Sequence, residues 1–448
     1  MRVLIIGAGN AGQQLAERLV AEKHDVVMID PDPKVLALVE ARLDVLTVAG
    51  SGSSPRILSE AQLEKSDLII SVTDSDEVNI LTCLCAHAAG VPRKVARVSS
   101  PEYIYANGTY DLRAMGIDLI INQKQECALE IFNMLQMPGA QEAFRLFDGK
   151  VMVAGFPVSV ISPLYGRTPA ECERLDLIQS IRMIAIRRGD KLVVPHGDTV
   201  FQKNDRLYLV GKPADVAAFF EWVSADLKPF EKVVIAGGGD IGLMLAELLE
   251  TKTDCVVIEK NEERAKYCSS VLKKALVLRG DALTDSTMEE AGLTEHTAFV
   301  ALTGDDEDNI MGCLVMQKRG AAFTVTQITR TDYVPVIEQL YLVNRVVSPY
   351  ISMTNAILHY LRSHKVRAAS LLHNLPGELL DATLNEKSRL AGKKIKEVKF
   401  PRESIIATVM RAGEVLTATG DLELAAGDRV LIFSHPDAVK KIEAIFLK

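Results

Sequence analysis

The chain has 448 residues, a formal net charge of −8, 48% hydrophobic and 25% charged residues. That length implies about three or four domains, the composition is that of a globular protein, and the acidic balance argues against a sequence-independent grip on DNA or RNA. Seven cysteines without a CxxC pair read as reduced, buried thiols, and no apolar run reaches the length of a membrane span. The first strand begins near residue 3, leaving no room for a cleaved signal segment. A cytoplasmic protein is therefore expected, with any membrane attachment made through a partner.

Val3-Leu4-Ile5-Ile6 reads as a buried parallel strand, and Gly7-x-Gly9-x-x-Gly12 follows it, with a helix beginning by Gln13–Leu19. This is the dinucleotide fingerprint. Gly7 suits a sharp turn, Gly9 lets a pyrophosphate approach the backbone, and Gly12 lets helix and strand pack closely. The helix N-terminus then offers free N–H groups to an anion. A second strand, Asp25–Asp30, ends in Asp30 near the spacing of a ribose-binding acid. Further strands are expected at Asp44–Val48, Leu68–Val72, Lys94–Val98 and Leu119–Ile121, with helices at Asp76–Ala89 and Glu126–Gln136, the latter broken by Met137-Pro138-Gly139. Six short strands with helical crossovers predict a Rossmann-like, doubly wound parallel sheet.

Residues 140–227 change character. Strands Val151–Ala154, Met183–Arg187, Lys191–Val194 and Arg206–Val210 are punctuated by Gly189-Asp190 and Asn204-Asp205, and a helix, Pro213–Val223, carries the single Trp222. A small α+β domain is expected. After Lys228-Pro229-Phe230 the programme restarts. Adding 230 to Gly7, Gly9 and Gly12 gives Gly237, Gly239 and Gly242, and Val256-Val257-Ile258 ends in Glu259. Strands Val233–Ile235, Cys255–Glu259, Ala275–Leu278, Phe299–Leu302, Thr324–Ile328 and Arg345–Val347 repeat the first six. The small domain returns at 366–448, with Gly197-Asp198 and Asp205-Arg206 matched by Gly420-Asp421 and Asp428-Arg429 at an offset of 223. The domains are thus 1–138, 140–227, 230–364 and 366–448, an N–C–N–C duplication.

A second motif repeats too. Thr73-Asp74-Ser75-Asp76-Glu77-Val78-Asn79 matches Thr303-Gly304-Asp305-Asp306-Glu307-Asp308-Asn309, just past the fourth strand. Ligands bind there in such sheets. Asp76 and Glu77 read equally as an acidic first helical turn, whereas Thr73 and Asn79 are harder to explain as caps.

With both fingerprints, both Thr-x-x-Asp-Glu-x-Asn segments, both small domains and Val95-Ala96-Arg97-Val98…Tyr103, the chain resembles the tandem KTN/RCK family, the TrkA-type regulatory subunits of bacterial Trk potassium uptake systems. The resemblance implies two Rossmann-type KTN/RCK N domains, each followed by an RCK C-terminal domain. It implies a homo-oligomeric ring, a tetramer, docked on a membrane potassium transporter subunit of the Trk/Ktr type and gated by NAD(H), ATP or ADP. It implies that Gly7, Ala8, Gly9, Asn10, Ala11 and Gly12 wrap phosphates and that Asp30 holds ribose hydroxyls. Thr73, Asp74 and Asn79 would line the cleft, with Gly50 and Ser51 beside it, and Arg97 would reach a phosphate. An ion-pair arginine is the other reading of Arg97.

In the second half the matching set is Gly237, Gly238, Gly239, Asp240, Ile241, Gly242, Glu259, Thr303 and Asn309, with Gly280-Asp281-Ala282 offering the family's acid to an adenine amino group. Arg97 maps to Gln327 and Asn10 to Asp240, so a cation is missing and a carboxylate stands beside the phosphate turn. Two non-equivalent sites are expected, the first half binding better. Asp30 and Glu259 would favour NAD(H) over a 2′-phosphorylated cofactor. An NAD-dependent dehydrogenase with duplicated cofactor domains is the alternative. The eight histidines are scattered and no Ser/His/Asp or metal-spaced Cys/His set stands out. No catalytic residue and no metal ligand is therefore assigned, and a non-enzymatic switch is preferred.

Overall fold

The computed structural model describes residues 1–104, 111–136, 142–147, 149–189, 191–223, 230–340, 342–363, 377–385, 388, 390–398, 400, 401, 403–435 and 438–446. The Met137-Pro138-Gly139 break, Asp190, Lys228-Pro229, His364, His373 and Pro436-Asp437 lie outside them.

The first lobe runs β1 (Arg2–Ile6), α1 (Asn10–Ala21), β2 (Asp25–Asp30), α2 (Pro33–Glu40), β3 (Leu46–Ala49), α3 (Pro55–Glu60), β4 (Leu68–Ser71), α4 (Asp76–Ala88), β5 (Arg93–Arg97), α5 (Pro101–Ile104), β6 (Leu119–Ile121) and α6 (Gln123–Gln136). A small domain follows with β7 (Glu142–Leu146), β8 (Val151–Pro157), α7 (Leu175–Ser180), β9 (Arg182–Arg188), β10 (Lys191–Val193), β11 (Arg206–Gly211) and α8 (Pro213–Val223). The second lobe has β12 (Lys232–Ala236), α9 (Asp240–Leu249), β13 (Asp254–Glu259), α10 (Glu262–Val271), β14 (Leu276–Arg279), α11 (Asp285–Ala291), β15 (Thr297–Ala301), α12 (Asp306–Lys318), β16 (Phe323–Gln327), α13 (Val334–Gln339), β17 (Arg345–Val347) and α14 (Pro349–Ser363). The last domain has β18 (Glu378–Thr383), β19 (Ser404–Arg411), β20 (Glu414–Thr417), β21 (Arg429–Ser434) and α15 (Val439–Phe446).

Both lobes are six-stranded parallel sheets, ordered β3-β2-β1-β4-β5-β6 and β14-β13-β12-β15-β16-β17. Their central strands are apolar runs buried on both faces, as helix-covered parallel strands must be: Val3 to Ile6 and Val233 to Ala236 are all buried. The strand order reverses between β1 and β4, and between β12 and β15. At such switch points the loops diverge and leave a crevice. The third strand starts two residues later and ends one residue later than Asp44–Val48 predicts. Pairing Val27 with Leu46 through Asp30 with Ala49 lets the Gly50 N–H donate to the Asp30 carbonyl at 2.9 Å.

The linear N–C–N–C order folds like with like. One compact unit is Met1–Phe132 with Glu231–Leu358, the other Asn133–Phe230 with His359–Lys448. In the first, the Ser352 hydroxyl of α14 donates to the Glu130 carboxylate of α6 at 2.5 Å, and burial pushes the Glu130 carboxyl up. Helices α6 and α14 therefore meet within one chain. In the second unit, antiparallel sheets β10-β9-β11-β8-β7 and β18-β21-β19-β20 share a core in which Val153, Ile184 and Tyr208 meet Leu379, Leu431 and Phe433. Neither β7 nor β18 carries a pattern read from the sequence. Trp222 packs edge-on to Phe219 at 5.7 Å, on the small domain's own core.

Asp205 and Asp428, read as turn residues, are wholly buried. Each takes two bonds from an arginine, Arg188 at 2.8 and 2.7 Å and Arg411 at 2.8 Å twice, and caps its own turn through the N–H of Gln202 or Ala425. Removing such a carboxylate leaves a backbone donor and a guanidinium without their acceptor. Asp428→Ala is expected to lower unfolding stability by about 2 kcal/mol, read as an earlier urea midpoint.

Candidate functional site

In both lobes the glycine turn is built the same way. Gly7 and Gly237 sit at φ +99° and +110°, where only glycine is unstrained. A Cβ on Gly12 would lie 1.8 Å from the Gly7 carbonyl oxygen, and one on Gly242 2.0 Å from that of Gly237. These two glycines serve helix–strand packing. Gly9 and Gly239 have nothing within 4 Å of an added Cβ, so these positions face open space at the helix N-termini, where an anion can approach.

The acid closing the second strand is tied back to this turn. The Ala8 N–H donates to Asp30 Oδ2 at 2.7 Å and the Gly238 N–H to Glu259 Oε2 at 2.7 Å. Their other oxygens accept from Asp32 N–H at 2.9 Å and Asn261 N–H at 2.7 Å. A carboxylate has about four lone-pair sites, so each retains acceptor capacity for ribose hydroxyls.

The second motif carries a structural role as well as its place at the cleft. Asn79 and Asn309 are fully buried. Asn79 Oδ1 accepts from the Thr73 N–H at 2.9 Å and hydroxyl at 2.8 Å, while its amide donates to the Thr73 and Arg97 carbonyls, both at 2.9 Å. Asn309 makes the same four bonds to Thr303 and Gln327. The shared bond to Arg97 and Gln327 confirms that these two positions correspond. These asparagines staple the ends of the fourth and fifth strands, and Asn309, with Thr303, also borders the second lobe's cleft. Asp76, too, is a staple: it accepts from Ser99 and Ser100 N–H groups at 2.8–3.0 Å, as Asp306 does from Thr329 and Arg330 at 2.8 and 2.9 Å. Arg97 pairs with the exposed Asp74 at 2.9 Å, the ion-pair reading of that arginine.

At the second lobe's switch point lies a cavity of about 400 Å³, within the range of ligand pockets. Ala236, Ile258, Phe299 and Gly312 give it an apolar floor, and Gly239, Glu259, Asp281 and Thr303 stand at its polar edge. Asp281 accepts from the Leu283 N–H at 2.9 Å and from Lys260 at 3.0 Å; these bonds hold its carboxyl below the usual range. Gly237, Gly280, Ala282 and Asn309 also border the cavity, whereas Gly238, Asp240, Ile241 and Gly242 shape the turn beside it.

Two cations that the sequence reading missed sit on this turn. Arg264 of α10 donates to the Gly238 carbonyl at 2.6 Å and to Asp240 at 2.9 Å, and Lys124 of α6 reaches Asp240 at 2.5 Å. The Lys124 hydrogen bond, opposed by burial and aided by the charges of Lys124 and Arg264, keeps the Asp240 carboxyl below its usual range. The carboxylate is therefore neutralised rather than left to repel a phosphate. In the first lobe the same turn carbonyl, that of Ala8, is held at 2.8 Å by neutral Gln13. Neither cation was legible from repeat alignment, because Lys124 belongs to the other lobe and Arg264 follows a one-residue shift in register.

Two dinucleotide-type sheets, each followed in the chain by a small antiparallel module, define a duplicated nucleotide-fold protein. The TrkA-N domain family matches residues 3–123 and 233–349, and the TrkA-C domain family matches 153–224 and 379–447. The chain belongs to the TrkA family. It is 32% identical to Trk system potassium uptake protein TrkA homolog 1 of Methanosarcina mazei over the full length of both chains, and 32% identical to the Halomonas elongata TrkA over all of this chain and 98% of that one. Among solved structures, the GsuK RCK domain shares the fold at TM-score 0.61 and 21% identity, covering 100% of this chain and 95% of that one. The GsuK channel bound to NAD does so at 0.62 and 21%, covering 100% and 79%. Membership of this family sets the chain with transport-system proteins and not with enzymes, against the dehydrogenase alternative.

Replacing Asn79 with leucine strands donors and acceptors at the ends of β4 and β5. Asn79→Leu is expected to cost roughly 3 kcal/mol of stability whether or not nucleotide is present, measured by urea unfolding. Unchanged stability with lost nucleotide affinity would restore the asparagine to the cleft.

Proposed function

We propose that this protein is the cytoplasmic, nucleotide-responsive regulatory subunit of a Trk/Ktr-type potassium transporter. The observation that carries the reading is full-length relationship to TrkA potassium uptake proteins in a chain that keeps a glycine turn, a strand-end acid and an open cleft. No described helix is long and apolar enough to cross a membrane, so contact with the membrane subunit would be made by a folded surface. Homo-oligomerisation into a tetrameric ring suits a duplicated unit, since closed symmetric assemblies reuse one interface.

The ligand class is NAD(H), ATP or ADP. Gly9 or Gly239 and the helix N-terminus would receive phosphates, Asp30 or Glu259 the ribose hydroxyls, and Asp281 an adenine amino group. The bound nucleotide supplies charge and contact area only; no bond is made or broken. A ligand shifts a two-state assembly by its difference in affinity for the two states, so nucleotides sharing an adenosine end must be distinguished at the phosphates. Lys124, Arg264 and Arg97 would be the cations that do so.

Two outcomes test this. In liposomes containing the membrane subunit, potassium flux is expected to depend on this protein and to change by at least about threefold between ATP and ADP; flux indifferent to both sinks the gating role. In calorimetry, NADH is expected to bind at least about tenfold more tightly than NADPH, because Asp30 and Glu259 repel a 2′-phosphate. Glu259→Gln should narrow that gap.

A further inference from the structure

We infer that the second lobe takes the adenine ring and that the first lobe's base subsite is filled by its own side chains. This rests on the nucleotide-binding role proposed above and reverses the ranking expected from sequence.

The difference is an exchange of volume between repeats. In the first lobe the turn after β3 comes down onto β1: a Cβ on Gly52 would lie 2.1 Å from Ile6 Cγ2. Ile6 is 1% exposed and Gly52 is buried. From the other side Thr82 of α4, itself fully buried, donates its hydroxyl to the Gly52 carbonyl at 2.9 Å. Strand, turn and helix are thereby bonded and packed together where a base would enter. In the second lobe each partner is smaller. Ala236 stands for Ile6 and Gly312 for Thr82, and both line the cavity of about 400 Å³. Ala282 replaces Gly52; its methyl has room because Ala236 has surrendered the isoleucine branch. With no hydroxyl on Gly312, nothing there repeats the Thr82 bond that holds the first turn down.

Chemistry at the walls agrees with size. Phe299, which takes the place of Ile69, offers a flat aromatic edge on the floor, suited to a planar base. Asp281 stands at the rim with acceptor capacity for an exocyclic amine; the first lobe has Ser51. The phosphate end of the second cleft has Arg264 and Lys124 on its turn, with Lys124 contributed by the first lobe. Base, ribose and phosphate requirements thus coincide in one lobe. A single tight adenine-nucleotide site per chain follows, with the first lobe acting as a supporting copy that supplies Lys124.

The test is equilibrium dialysis of the full-length protein with ADP, combined with photolabelling by 8-azido-ADP and peptide mapping. One tight site per chain is expected, with label confined to peptides within residues 259–312. Ala236→Ile with Gly312→Thr fills the cavity and should weaken ADP on the order of 100-fold while leaving the melting temperature equal or higher, which separates blockage from misfolding. Gly312→Ala, whose added Cβ would meet Leu283 and Phe299 at an ordinary 3.5 Å, should fold normally and weaken ADP less. Ile6→Ala with Thr82→Gly should create a second class of site in the first lobe. Label in first-lobe peptides, or wild-type affinity in Ala236→Ile/Gly312→Thr, overturns the asymmetry but leaves nucleotide binding intact. Absence of binding by ADP, ATP and NADH in the unmodified protein overturns the nucleotide role itself, and this inference with it.

Discussion

Everything in the clefts depends on one close approach: a helical backbone pressed against the carbonyl of the residue that ends the strand sequence. Gly12 against Gly7, and Gly242 against Gly237, leave no room for a methyl group. That contact aims the helix N-terminus into the switch-point crevice and frees the intervening glycine to meet a ligand. The strand-end acid then bonds an amide of the same turn. A site preorganised by its own backbone loses little order on binding, which favours affinity for small anions.

Around this core the duplicated motif does structural work. Asparagine in the fourth-strand motif bonds backbone groups and a threonine hydroxyl at the edge of the crevice. Aspartate at the following helix start ties down the loop after the fifth strand. Buried amides and carboxylates of this kind are tolerated only when bonded, and once bonded they lock the relative height of neighbouring strands. These bonds hold the strand ends at the edge of the crevice.

Duplication also set the two halves free to diverge. The lobes join through α6 and α14, and the small domains through a shared apolar core, so a change in one copy need not be repeated in the other. Where the repeats must hold the same backbone, they keep the same chemistry: the turn glycines, a strand-end acid (Asp30 or Glu259), the staples and the Arg–Asp pairs of the small domains. Where only volume matters, they part, as Ile6 and Thr82 do from Ala236 and Gly312. A cation lost at Gln327 is compensated at the same lobe's turn by Arg264 and by Lys124 from the neighbouring lobe.

From the residues alone one could read the two parallel sheets, their strand-by-strand repetition, the small domains and the glycine turns, because these depend on local periodicity and on backbone conformations that few side chains permit. Family likeness was equally legible, carried by motifs of fixed spacing. Tertiary structure alone decided which polar residues of those motifs are staples, since the burial of Asn79 and the backbone partners of Asp76 are set by neighbouring strands and loops. It alone joined lobe to lobe and small domain to small domain. And it alone ranked the clefts: the space between Ile6, Gly52 and Thr82, or between Ala236, Ala282 and Gly312, is set by three segments far apart in the chain, and Lys124 reaches Asp240 only because the lobes fold against each other.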